Sequence, residues 1–204
     1  MKILVFSQYF YPENFRINAL CQELVRRGHA VTVVTGYPQY PLGRLYDGYG
    51  FDIPYETSWN GVTIHRVKVH PRGKGLAGML RNTMDYVVEA EKWVKNCRER
   101  FDAVYVFEVS PVTVGLPAAA YKKKFHVPMF FNLQDLWPEN VEEVLGIRFA
   151  PVTWCINRIV DRIYTASDKI LCTSQGFTQN LRSRGVAPQK LIYWPQFCPD
   201  VCLE

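Results

Sequence analysis

Ile3-Leu4-Val5-Phe6, then a helical stretch ending at Gly28, then Ala30-Val31-Thr32-Val33-Val34-Thr35, fall within the first 35 residues. Both apolar runs are short and nearly unbroken, as strands buried on two faces are. Between them Ile17, Leu20 and Leu24 share one face of a helix predicted over Phe15–Arg27, flanked by Cys21 and Val25. Gly28 supplies a left-handed stop. A strand–helix–strand unit this compact implies a parallel sheet with a right-handed crossover.

The pattern continues outward. Val62–Val69, Ala103–Phe107, Pro128–Asn132, Ile170–Thr173 and Leu191–Trp194 read as further strands. Helices are predicted over Met79–Cys97, from Pro111 towards Lys122-Lys123-Lys124 with a kink at Pro117, from Pro151, and from a Ser174 cap to about Gly185. Residues 36–60, rich in proline, glycine and aromatics, read as one long irregular connection, and Gly73–Gly78 as a hinge. The expected architecture is α/β: one Rossmann-like, doubly wound, mainly parallel sheet of about seven strands.

Composition narrows the function. The 204 residues are 48% apolar and 21% charged, ordinary for a globular domain with a substantial core. The surplus of 24 basic over 19 acidic residues is mild, so nucleic acid is not an expected partner; an acidic substrate or an anionic membrane surface suits it. The start has no signal-peptide pattern, and no apolar run is long enough to span a bilayer. Six cysteines without a Cys-x-x-Cys pair read as free thiols in a reducing cytoplasm.

In a sheet of this kind ligands bind beyond the carboxyl ends of the strands. Four loop-like segments meet that description: Ser7–Asn14, Gly36–Tyr46, Glu108–Pro111 and Gln134–Asn140. The first turn holds no glycine, which excludes a Gly-x-Gly-x-x-Gly dinucleotide site there; Walker A, His-Glu-x-x-His and Gly-x-Ser-x-Gly motifs are missing too. Tyr9-Phe10-Tyr11 has the composition to stack on a sugar or to pack over the sheet end. Asp135 follows a strand and serves either to bind hydroxyls or to cap the helix begun at Pro138; Glu139 and Glu13 carry the same ambiguity. Candidate cleft residues are Tyr11, Glu13, Asn14, Glu108, Ser110, Gln134, Asp135, Trp137 and Glu139. No catalytic residue and no metal ligand is assigned. Arg72, Lys74 and Arg81, interleaved with Leu76, Met79 and Leu80, are candidates for contact with an anionic membrane.

Tyr11-Pro12, the Arg27-Gly28-His29-Ala30-Val31-Thr32-Val33 junction, Glu108-Val109-Ser110-Pro111 and Gln134-Asp135-Leu136-Trp137-Pro138-Glu139 together resemble the N-terminal half of family 4 GT-B glycosyltransferases. The subgroup they are similar to makes bacterial surface polysaccharides and includes fucosamine transferases. Two departures stand out: Pro12-Glu13-Asn14-Phe15 replaces a glycine pair, and Gln134 replaces a histidine, so any role there is orientation through hydrogen bonds.

The resemblance implies that residues 1–204 are an acceptor-side domain and that a donor-binding C-terminal domain is missing. It implies a cytoplasmic enzyme, peripheral at the inner face of the plasma membrane. That enzyme would move a sugar from a nucleotide donor to a lipid-linked or saccharide acceptor in lipopolysaccharide or capsule synthesis, with retention and without metal or other cofactor. The fragment alone would be inactive and prone to self-association. The alternatives are half of a sugar-nucleotide epimerase on the same scaffold, and a non-catalytic binding module complete in itself.

Overall fold

The computed structural model describes residues 1–52, 57–73, 75–109, 111–139 and 150–196. Among them eight strands form one sheet in the order β3-β4-β2-β1-β5-β6-β7-β8. The strands are β1 (Lys2–Phe6), β2 (Ala30–Thr35), β3 (Ser58–Trp59), β4 (Val62–Arg66), β5 (Ala103–Glu108), β6 (Met129–Leu133), β7 (Lys169–Cys172) and β8 (Leu191–Tyr193). All neighbours pair in parallel except β3, which runs antiparallel to β4. The helices are α1 (Arg16–Arg26), α2 (Leu76–Asn96), α3 (Gly115–Phe125), α4 (Ala150–Ala166) and α5 (Gln175–Ser183).

The winding is explained by burial. β1 lies between β2 and β5, and Leu4, Val5 and Phe6 are fully buried. Ile17 and Cys21 of α1 pack with Val5, Val31, Val33 and Ile64 on one face. Tyr86, Ala90 and Val94 of α2, Ala118 and Tyr121 of α3, and Val160 and Ile163 of α4 cover Leu4, Phe6, Val104, Val106 and Phe131 on the other. Strands therefore wind outward in both directions from β1 and β5, and the loops after those two strands leave for opposite faces. That is a topological switch point.

Several expectations change. The sheet has eight strands, because residues 36–60 are not wholly irregular. Asn60 and Gly61, at φ 46° and 79°, turn β3 back onto β4. Two adjacent positive φ values are what a tight hairpin with the right-handed twist requires. β4 stops at Arg66 rather than Val69, where its partner β2 stops at Thr35. Pro117 does not kink a helix: a 3-10 turn over Val112–Val114 precedes α3, so Pro117 sits in the first turn of α3, where its missing N–H has no partner to lose. α2 begins within the expected hinge, at Leu76. The Ser174 cap is present, its hydroxyl accepting the Phe177 N–H at 3.1 Å. Cys21, Cys97, Cys155 and Cys172 are free thiols; Cys198 and Cys202 lie outside the described residues.

Candidate functional site

The loop after β1 is held by a buried carboxylate. Glu13 Oε1 accepts the backbone N–H groups of Gln39 and Tyr40 at 2.9 and 2.7 Å, and Oε2 accepts that of Phe10 at 3.3 Å. Burial raises its pKa to about 7, against the pull of these three N–H groups and of Arg66. Arg66 in turn donates to the carbonyls of Gly36 and Tyr11, at 3.0 and 2.6 Å. Gly36 lets the two loops approach closely: a Cβ there would stand 3.2 Å from the Gln8 carbonyl. The Tyr11 ring stacks on Trp59 at 4.5 Å, and Tyr9, Phe15 and Tyr40 form a second ring cluster. Asn14 is exposed just ahead of α1.

Across the switch point, Glu108 welds the ends of β5 and β6 together. It is fully buried, and its Oε2 accepts the N–H groups of Gln134 and Asp135, both at 3.0 Å. Burial holds its carboxyl well above the ordinary carboxylate range, outweighing those two N–H groups. The buried Trp137 indole N–H lies beside this carboxyl and draws it down a little, without closing a full hydrogen bond among the described residues. Tyr164, whose hydroxyl is also buried and raised by burial and by Glu108, stands near it.

Side-chain amides run along the carboxyl edge from here. Gln134 Nε2 donates to Asn132 Oδ1 at 2.7 Å, and Gln196 Nε2 donates to Gln134 Oε1 at 2.6 Å. Gln134 and Asn132 line a crevice with Arg16, Ile17 and Leu20 of α1, Tyr105 and Phe107 of β5, Thr173, Trp194 and Gln196. A second small cavity of about 180 Å³ opens near the first loop, between Tyr9, Gln39, Tyr40 and Arg72. Burial pushes the Tyr9 hydroxyl up to about 12 although the Arg72 guanidinium beside it pulls the other way.

The candidate residues thus fall into separate groups. Glu108, Gln134, Asp135 and Trp137 come together. Glu13 belongs with the Gln39–Tyr40 loop and Tyr11 with Trp59 of β3, their side chains engaged with the protein. Glu139 turns towards α5, its Oε1 accepting from Asn180 at 3.0 Å. Of the membrane candidates, Arg72 and Met79 touch, while Leu76, Leu80 and Arg81 are exposed on α2. Ser110 and Lys74 lie outside the described residues. Four residues escaped the sequence reading: Gln39, Arg66, Asn82 and Asn132. For Arg66, Asn82 and Asn132 the one signal is polarity at places where a strand or an apolar helix face should bury carbon; Gln39 sits in the loop after β2 and carries no such signal. Asn82 of α2, for instance, accepts from Gln8 and donates to the His70 carbonyl, both at 2.7 Å. Among the described residues no three His, Cys, Asp or Glu side chains gather as metal ligands would.

A doubly wound parallel sheet with polar loops braced on both sides of its switch point is a Rossmann-like domain of the kind found in GT-B enzymes. The chain belongs to the glycosyl transferase 4-like domain family, whose pattern matches residues 14–195. No curated protein is significantly similar to it in sequence. Among solved structures, UDP-GlcNAc 2-epimerase from Methanocaldococcus jannaschii is similar with TM-score 0.54 at 14% identity, over 94% of this chain and 45% of that one. Anabaena HepE in complex with UDP and glucose gives TM-score 0.51 at 14% identity, over 97% and 45%. The same protein with UDP-glucose gives 0.51 at 14%, over 97% and 44%. The likeness is one of fold, and the chain spans less than half the length of each of these structures.

Proposed function

We propose that this chain is the acceptor-side domain of a glycosyltransferase that moves a sugar from a nucleotide-sugar donor to a lipid-linked or saccharide acceptor of cell-surface polysaccharide. The observation that carries the reading is the Glu108 weld. It fixes Gln134 and Asp135 at the carboxyl edge of β6, beside a crevice at the switch point, in a chain of the glycosyl transferase 4-like family. A carboxylate and an amide held there are suited to accept from and donate to sugar hydroxyls. The half-buried Trp137 ring offers the sugar an apolar contact. The domain's contribution to rate is then positioning of an acceptor hydroxyl and exclusion of water, with the donor held by a second domain. Transfer proceeds with retention and without a metal under this reading.

The test uses the complete reading frame that contains this chain. Purified protein is given UDP- and GDP-sugars, with and without polyprenyl-phosphate-linked and saccharide acceptors, and free nucleotide is followed. Acceptor-dependent release is expected, with no turnover from the 204-residue chain alone. Interconversion of epimeric sugar nucleotides without acceptor would replace this reading by the epimerase one. Binding of a saccharide with no turnover of any kind would leave a binding module.

A further inference from the structure

Glu108 holds the Gln134–Glu139 turn at its start. The other end is held from α5. Arg184 Nη1 donates to the Trp137 carbonyl at 3.0 Å, and Asn180 Nδ2 donates to Glu139 Oε1 at 3.0 Å. Asn180 and Arg184 are four positions apart, so both donors rise from one side of the helix. The helix is a firm support. Ser174 caps its start, Leu181 is fully buried in the core, and the Arg184 N–H closes the last turn on the Asn180 carbonyl at 3.0 Å. Gly185, at φ 84°, then turns the chain away, and the Val186 N–H returns to the Leu181 carbonyl at 3.0 Å.

The same guanidinium reaches α4. Its Nη2 donates to Asn157 Oδ1 at 2.6 Å and to Asp161 Oδ1 at 3.2 Å. One planar group thus ties the turn, α5 and α4 together, with its side chain only 18% exposed. The ion pair is the smaller part of this. The Asp161 side chain is 58% exposed, and an ion pair at such a surface adds little. The fork of fixed N–H directions adds geometry: it points at a backbone carbonyl on one side and at two α4 oxygens on the other. Lysine carries the same charge and cannot span them. Within the turn, Trp137 Nε1 and Glu139 Oε2 are buried and close no hydrogen bond among the described residues, so neither adds a second hold.

We infer that Arg184, seconded by Asn180, is a positioning residue for the acceptor wall: by fixing the Trp137 carbonyl it sets where the Asp135 carboxylate and the Trp137 ring stand. The inference rests on the proposed function, in which those two side chains meet the sugar. Arg184 touches no substrate and acts through the turn. Glu108 takes the N–H groups of Gln134 and Asp135, Arg184 takes the carbonyl of Trp137, and Asp135 is bracketed between the two anchors. Displacing such a group by about 1 Å costs on the order of a hundredfold in rate.

The test uses protein from the complete reading frame, as parent and as Arg184→Met, Arg184→Lys, Asn180→Ala and Arg182→Met. Arg184→Met should speed backbone amide exchange in peptides covering residues 134–139 at least about tenfold, with peptides from β1 and β2 unmoved. It should lower kcat/KM for the acceptor at least about tenfold while KM for the nucleotide sugar keeps its parent value. Arg184→Lys should fall almost as far, because charge without the fork does not reach both sides. Asn180→Ala should move the same two quantities by a smaller factor. Arg182→Met removes an exposed cation from the last turn of α5 and should move neither. Urea midpoints show that each variant folds; should Arg184→Met not fold, Arg184→Lys and Asn180→Ala carry the test. Parent-like exchange and activity in Arg184→Lys overturn the inference, because charge alone then suffices. So does faster exchange with acceptor kcat/KM unchanged, which makes Arg184 a brace of the fold only, and so does unchanged exchange in folded Arg184→Met. A parent that turns over no nucleotide sugar with any acceptor overturns the proposed function and with it the acceptor role of Arg184. Exchange in the turn then still tells whether Arg184 holds it.

Discussion

Glu13 and Tyr40, 27 positions apart in sequence, are joined by a 2.7 Å hydrogen bond from the Tyr40 backbone N–H to a carboxylate that is 1% exposed. This bond ties the loop after β1 to the loop after β2, so its protonation state bears on stability. Burial lifts the Glu13 pKa from 4.5 to about 7. The folded protein therefore holds this proton more tightly than the unfolded chain does. The stabilisation is full below the unfolded value of 4.5 and is lost as pH rises through 7. Urea denaturation at pH 5 and pH 8 should show the parent losing up to about 3 kcal/mol relative to Glu13→Gln, which does not titrate. A pH-independent difference between the two would show that the carboxylate is already ionised in the fold.

Glu108 acts through geometry that its neighbours cannot replace. The Gln134 N–H has a second acceptor in the Glu108 carbonyl at 3.2 Å, while the Asp135 N–H donates to Oε2 at 3.0 Å. Glu108→Ala strands that N–H and opens a cavity, and should cost about 2–4 kcal/mol. Glu108→Gln keeps an acceptor and mimics the neutral acid that burial favours, so it should cost about 1 kcal/mol or less. Urea midpoints at constant slope measure both. Equal losses would mean that the charge, not the acceptor, matters.

Two glycines should respond in opposite directions. At Gly115, where α3 starts, a Cβ would stand 2.7 Å from Ile163 Cγ2 and 2.9 Å from Phe131 Cε2. Those neighbours are rigid core, so Gly115→Ala should destabilise by about 1–3 kcal/mol. At Gly176, exposed in the first turn of α5, the nearest atom to a Cβ is Ser174 Oγ at 3.7 Å. Gly176→Ala should stabilise by about 0.5–1 kcal/mol. Thermal melts of the two variants against the parent decide, and a Gly115→Ala melt at or above the parent's would refute the packing argument.

Local pattern made most of the sheet legible. β2 is found at Ala30–Thr35 as its valines predict, and Gly28 takes φ 82° at the end of α1. The hairpin at Asn60-Gly61 was written in the sequence too, but β3 is only two residues long and carries no alternation to mark it. The site was less legible, because it depends on pairs far apart in the chain. Nothing near Glu108 says that its carboxylate will meet the N–H of a residue 27 positions on, nor does Glu13 announce Gln39. Such pairings appear only once β1, β2, β5 and β6 are registered side by side, which brings their carboxyl-end loops within reach. Arg184 is a third case: Gly185 marks it as a helix end, but only packing shows that it reaches the Trp137 carbonyl, 47 positions back.

Asp135 is the side chain on which the proposed acceptor site is tested. Its backbone N–H is held by Glu108, a bond that any side chain at this position leaves in place. Substrate contact and a purely structural role therefore separate cleanly in Asp135→Asn. Asparagine keeps the size, keeps one oxygen acceptor and still donates its N–H to Glu108. If the carboxylate only caps the following turn, the change costs about 1 kcal/mol or less and leaves turnover near normal, since Asn caps about as well as Asp. If it accepts from a substrate hydroxyl, the charged acceptor becomes a weaker neutral one. The loss then appears in kcat/KM, at least about tenfold or 1.4 kcal/mol, with Tm scarcely moved. Under the proposed function the second outcome is expected in the complete protein, read from nucleotide release against acceptor concentration. Near-normal kcat/KM for Asp135→Asn removes Asp135 from the site while leaving the fold and the Glu108 weld as they are.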